Sequence, residues 1–146
     1  MRPVFAAAVL TSVAAVMGGI AVPAVVAPQS RSQWDGIYSE AQARRGAAIY
    51  GRDCRACHGA TLLGAEGGPS LIGADFDSTW SGRTIGELFE KIRSTMPQSA
   101  PGSLTEREYA DVLAYVLSAG RFPAGTTELP AQPGLLNLLQ YQAKKP

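Results

Sequence analysis

Cys54, Cys57 and His58 stand within five residues of one another in GRDCRACHGA, and the chain has no other cysteine or histidine. Four chemistries use such a set. A thioredoxin-type redox pair needs its Cys-x-x-Cys in a βαβ setting, and no segment here alternates like a strand for long enough to supply one. A disulfide between Cys54 and Cys57 would close a loop too short to constrain the unfolded chain by much. Zinc asks for four ligands, and only three thiol or imidazole side chains exist in total. Covalent attachment of haem c is the fourth, and Cys-x-x-Cys-His is its recognised motif. On one helical turn positions i, i+3 and i+4 share a face. Cys54 and Cys57 then reach the two vinyl groups along one porphyrin edge as thioethers, while His58 turns its imidazole to the iron.

The sixth ligand follows by elimination. There is no second histidine, and of the three methionines Met1 and Met17 lie in a targeting segment. Met96, in STMPQSAPGSL, remains. In another sequence such a methionine would fill a gap at a helix end. Here it is the thioether left to close the iron's other face, with a five-coordinate or Lys-ligated iron as the alternative. Trp80 and Arg83 are a candidate pair for a haem propionate, because an inward-turned carboxylate needs donors in low dielectric. Otherwise Trp80 packs on the ring edge and Arg83 sits in water. Arg52 and Arg55 flank the motif and are placed to steer an acidic partner, or simply to solvate a helix face.

Three helices must position these groups. SEAQARRGAAIYGRD opens with Ser39 as cap and Gln42 three residues on, the pattern of a capping box, with Ala43, Ala47 and Tyr50 as its apolar stripe. RTIGELFEKIRSTMP has Thr84 and Glu87 as a box, with Ile85, Leu88, Phe89 and Ile92 at helical spacing and Pro97 as its stop. LTEREYADVLAYVLSAG has Thr105 and Glu108, then Tyr109, Val112, Leu113, Val116 and Leu117, and ends at Gly120. Residues 59–82 are rich in Gly, Pro and Asp and read as a loop packed on something apolar. The expectation is an all-α fold with long loops and no internal repeat.

With 146 residues and a formal net charge of +1, the chain has room for one modest domain. No basic run points to nucleic acid. Residues 1–27 read as a signal peptide, with Arg2 before an apolar run and a cleavage position after Ala24. The run approaches the ~20 residues that span a bilayer, so an uncleaved anchor is the alternative, and membrane association depends on its retention. Either way the rest is exported, which predicts a periplasmic location. Of 13 basic and 12 acidic side chains only Arg2 falls in that segment, which leaves the exported part balanced at 12 and 12. Residues 28–38 read as a linker, 39–123 as the haem domain and 124–146 as an extended tail. Its prolines disfavour a further long helix. In the tail, Leu135, Leu136, Leu138, Leu139 and Tyr141 form an apolar cluster that must cover the domain, dock on a partner or stay partly wet.

GAAIYGRDCRACHG, STMP and LTEREYADVLAYVL, in that order, resemble the monohaem class I cytochromes c over about residues 39–123. The resemblance implies a class I cytochrome c fold, electron transfer rather than enzymatic turnover, covalent haem through Cys54 and Cys57, and His58 and Met96 as axial ligands. It also implies that the first and last helices cross closely, with Gly46 at the crossing and Tyr50 and Tyr115 beside it. WSGRTIGELFEKIRSTMP with APGSL and EYADVLAYVLSAGRFPAG is similar to the cytochromes that accept electrons from periplasmic PQQ-dependent dehydrogenases. That implies a dehydrogenase as donor and a terminal oxidase or another cytochrome as acceptor. The other function classes are a cytochrome subunit docked permanently on a dehydrogenase, and a haem enzyme or gas sensor with a labile sixth ligand.

Overall fold

The computed structural model describes residues 31–146. The expected signal peptide or anchor lies outside the described residues, and among them no helix is long and apolar enough to cross a membrane. After a 3-10 turn at Gln33–Asp35 come α1 (Glu40–Asp53), α2 (Arg55–His58), α3 (Ala74–Trp80), α4 (Ile85–Thr95), α5 (Glu106–Ala119) and α6 (Pro133–Leu136). Among the described residues the only β pairing is a few isolated bridges, so the fold is all-α.

The most extensive helix contact is between α1 and α5. Gly46 makes it possible: a Cβ there would lie 1.8 Å from the Asp111 carbonyl oxygen. Beside the crossing, Arg45 grips the Asp111 carboxylate with two bonds of 2.8 and 2.9 Å. Arg45 also reaches Glu128 at 2.9 Å. The Asp111 side chain is only 5% exposed, so this paired, bidentate geometry is what makes its burial tolerable. The Tyr50 and Tyr115 rings pack at 5.3 Å between centroids on the same interface. Phe89, Leu113, Leu117 and Ile85 lie fully inside the core, on the stripes that helical spacing dictates.

The helix starts follow from their caps. Both Thr84–Glu87 and Thr105–Glu108 form complete capping boxes, each cap contributing about 0.5–2 kcal/mol. At α1 only half of the expected box forms. Ser39 Oγ accepts from the Gln42 N–H at 3.1 Å, but the Gln42 amide turns away. Gln42 is buried and holds both backbone groups of Leu129, donating to its carbonyl at 3.0 Å and accepting from its N–H at 2.7 Å. Satisfying two buried backbone groups outweighs returning to the single N–H of the cap residue.

Two segments differ from the expectations, and the tail takes the first of the courses open to it. Within the stretch read as loop, α3 forms over residues 74–80; its Phe76 and Trp80 are buried. Residues 31–38, read as linker, are packed: Ser32 and Gln33 are buried, and Gln33 and Trp34 both bond the backbone of Gln142. The tail returns over the domain. Its Leu136 is wholly buried, and the backbones of Leu139 and Tyr141 accept from Ile85 and Gly82 at 2.8 and 2.9 Å. Tyr141 also donates its hydroxyl to Asp77 of α3 at 2.5 Å. Of the tail's apolar cluster, Leu135 and Leu138 remain exposed.

Candidate haem site

Cys54 ends α1: its N–H still bonds the Tyr50 carbonyl, while its own φ and ψ leave the helix. Its carbonyl then accepts from the N–H groups of Cys57 and His58 at 3.2 and 3.0 Å, so the motif is one helical turn. Both thiols are free; Cys54 is half-buried and Cys57 exposed. Burial, followed by the neighbouring Asp53 charge, pushes the Cys54 thiol up to about 11. A neutral sulfur is favoured there, which a thioether is at every pH.

His58 is buried, and its Nδ1 lies 2.8 Å from the Pro69 carbonyl oxygen. A carbonyl can only accept, so Nδ1 carries the proton and Nε2 is left with its lone pair, the tautomer a metal-binding imidazole needs. Gly68 permits this approach, since a Cβ there would sit 2.9 Å from His58 Cε1. Neither Gly68 nor Pro69 stood out in the sequence. The one signal was the Gly67-Gly68-Pro69 run shortly after the motif, and its meaning depends on where the loop folds back.

These groups border a cavity of about 620 Å³. Cys54, Cys57 and His58 meet there with Phe76 and Trp80 of α3, and with Leu88, Ile92 and Met96 of α4 and its cap. Val112 and Val116 of α5 complete an apolar lining. The volume and the apolar walls suit a large flat macrocycle, and two thiols on one turn beside a tautomer-fixed imidazole are the donor set for haem c. Met96 is the C-cap of α4 in extended conformation, with its N–H bonded to the Ile92 carbonyl at 2.8 Å. Its own carbonyl accepts from the Tyr109 hydroxyl at 2.7 Å. Lys91 borders the same cavity.

Trp80 and Arg83 lie against each other but stand differently to the cavity. Trp80 lines the cavity, but Arg83 lies outside its lining. The Arg83 guanidinium sits 4.7 Å over the Trp80 ring and pairs with Glu87 at 3.2 Å. Both side chains of that pair are about half exposed, where an ion pair contributes little. Near the motif, Arg52 is likewise engaged, with Asp53 at 2.6 Å and Glu108 at 3.9 Å. Arg55 is exposed and makes no ion pair among the described residues.

Against known proteins, the family model described as cytochrome c oxidase, cbb3-type, subunit III matches residues 41–116. No curated protein and no solved structure matches the chain. The matched span runs from the start of α1 nearly to the end of α5 and includes every residue that lines the cavity. It takes in more than half of the chain, which therefore belongs to this family: it is a monohaem c-type cytochrome, binding haem c covalently and transferring electrons.

Proposed function

We propose that Cys54 and Cys57 carry the haem, that His58 and Met96 are its axial ligands, and that the protein acts as an exported, periplasmic electron shuttle. Its donor is a dehydrogenase of quinoprotein type, and its acceptor a downstream cytochrome or oxidase. The observation that carries the ligand assignment is one apolar cavity bordered both by a tautomer-fixed His58 and by Met96. When bound, the haem supplies a reversible one-electron couple. The chain's part is to tune it: a thioether ligand and apolar walls both disfavour the more charged ferric state and raise the potential. Phe76, Leu88, Val112 and Val116 exclude water from that couple. Exposed Cys57 marks where the covalent edge comes nearest to solvent, and with it the expected route of electron entry and exit.

The donor assignment rests on the likeness of residues 80–97 and 100–125 to cytochromes served by PQQ-dependent dehydrogenases. The family's description as an oxidase subunit favours a second reading in which the chain is docked permanently in a complex. Purification without added salt discriminates: a shuttle elutes alone, a subunit with its enzyme.

Ligation is tested on Met96→Ala holoprotein by optical spectra and redox titration. The reduced variant is expected to bind carbon monoxide and its potential to fall by a sizeable share of the roughly 0.8 V that axial ligands span. An unchanged spectrum and potential would show a different sixth ligand, and Lys91→Ala then identifies whether the lysine bordering the cavity supplies it.

A further inference from the structure

We infer that Tyr109 is a positioning residue for Met96, setting how firmly the methionine holds its place against competing ligands; this rests on the reading of Met96 as an axial ligand. Met96 lies beyond the last turn of α4, where the helical ladder no longer fixes the chain. Its N–H is held by Ile92, the last tie to α4. Its carbonyl has a different anchor, the Tyr109 hydroxyl, which donates across from α5 at 2.7 Å. The thioether-bearing residue is therefore pinned on both sides of its Cα, by two different helices.

The anchor itself is rigid. Tyr109 is 1% exposed, and its ring meets Phe89 edge-on at 6.4 Å. One and two turns further on, Val112 and Val116 border the cavity, and Asp111, just before Val112, is locked to Arg45 at the α1 crossing. A hydroxyl on this face reports the position of α5 directly to the Met96 backbone. Without it the carbonyl has no protein partner, and the segment after α4 samples arrangements in which the thioether is withdrawn. An external ligand competes only in those withdrawn states. Its apparent affinity therefore rises with their population.

The test is an optical titration of ferric holoprotein with imidazole, in Tyr109→Phe, Tyr38→Phe and Met96→Ala beside the wild type. Tyr38→Phe removes an equally buried hydroxyl, bonded to the Phe122 carbonyl at 2.6 Å and outside the cavity lining. It controls for a general loss of stability. Losing one hydrogen bond on Met96 is expected to tighten imidazole binding about three- to tenfold in Tyr109→Phe and to leave it unchanged in Tyr38→Phe, while both variants melt somewhat earlier. Equal affinity in wild type and Tyr109→Phe, equal gains in both tyrosine variants, or failure of Tyr109→Phe alone to yield holoprotein each overturn the positioning role and leave Met96 ligation standing. A Met96→Ala protein with wild-type imidazole affinity overturns the ligation itself.

Discussion

His58 and its surroundings show how little tolerance the site has at the level of single atoms. The Nδ1 bond to Pro69 fixes the tautomer, and the bond exists only because residue 68 has no Cβ. Gly68→Ala would place a methyl 2.9–3.0 Å from Cε1 and Nδ1, tighter than real contacts allow, so ring and loop must part. Two consequences are expected. Overpacking should lower holoprotein stability by about 1–3 kcal/mol. A weakened Nδ1–H bond makes the imidazole a poorer donor, which disfavours the ferric state, so the potential should move upward. Thermal melting and redox titration of the variant check both; an unchanged potential would mean that the loop yields and the bond survives. At the same scale, Arg83 is held by close neighbours in sequence: it pairs with Glu87 one turn ahead and lies over the Trp80 ring.

Among the elements, the α1–α5 crossing sets the frame on which the attachment motif and the Tyr109 hydroxyl are carried. Two glycines of α1 separate packing from propensity. Gly46 faces the Asp111 carbonyl, and a methyl at 1.8 Å from backbone cannot be absorbed by a rotamer change. Gly51 is exposed and has nothing within 4 Å of its would-be Cβ. Helix propensity favours alanine over glycine by about 1 kcal/mol at either position. Gly51→Ala is therefore expected to raise the melting temperature of the holoprotein. Gly46→Ala should lower it, because separating the helices costs more than the ~1 kcal/mol gained. Should both variants melt alike, the close crossing would not be what stabilises the pair. The third helix to form the cavity, α3, has no extensive contact with another helix. The tail backs it instead, through Tyr141 against Phe76 at 5.9 Å and the Tyr141–Asp77 hydrogen bond. Burial and then the Asp77 carboxylate raise the Tyr141 phenol well above the usual tyrosine value, which keeps it a donor.

For the molecule as a whole, residues 31–38 and 129–142 form a strap outside the family match that closes the fold behind α3 and α4. Removal of residues 134–146 strips Leu136, Leu139 and Tyr141 from the core, each worth about 1.5–3 kcal/mol of burial. The truncated holoprotein is expected to melt markedly earlier while its low-temperature spectrum is retained. If it melts like the full chain and only its reduction by a dehydrogenase slows, the tail is a docking element. Much of this protein was legible in one dimension. Cys54, Cys57 and His58 declared their chemistry because covalent attachment is encoded by local spacing, and α4 and α5 declared their ends because a capping box involves residues only three apart. Met96 was singled out as the candidate sixth ligand by elimination, which needs only a count of residue types. What the sequence could not give were pairings between distant residues: Pro69 with His58, Tyr109 with Met96, Gln42 with Leu129 and Gln33 with Gln142. Each joins backbone to a side chain with no periodicity to betray it. The same holds for α3, whose seven residues are too few to show a pattern and which the tail backs through Tyr141. Local chemistry and caps are written in neighbouring residues; which side chain satisfies a distant backbone group is decided only when burial removes the water that would otherwise do it.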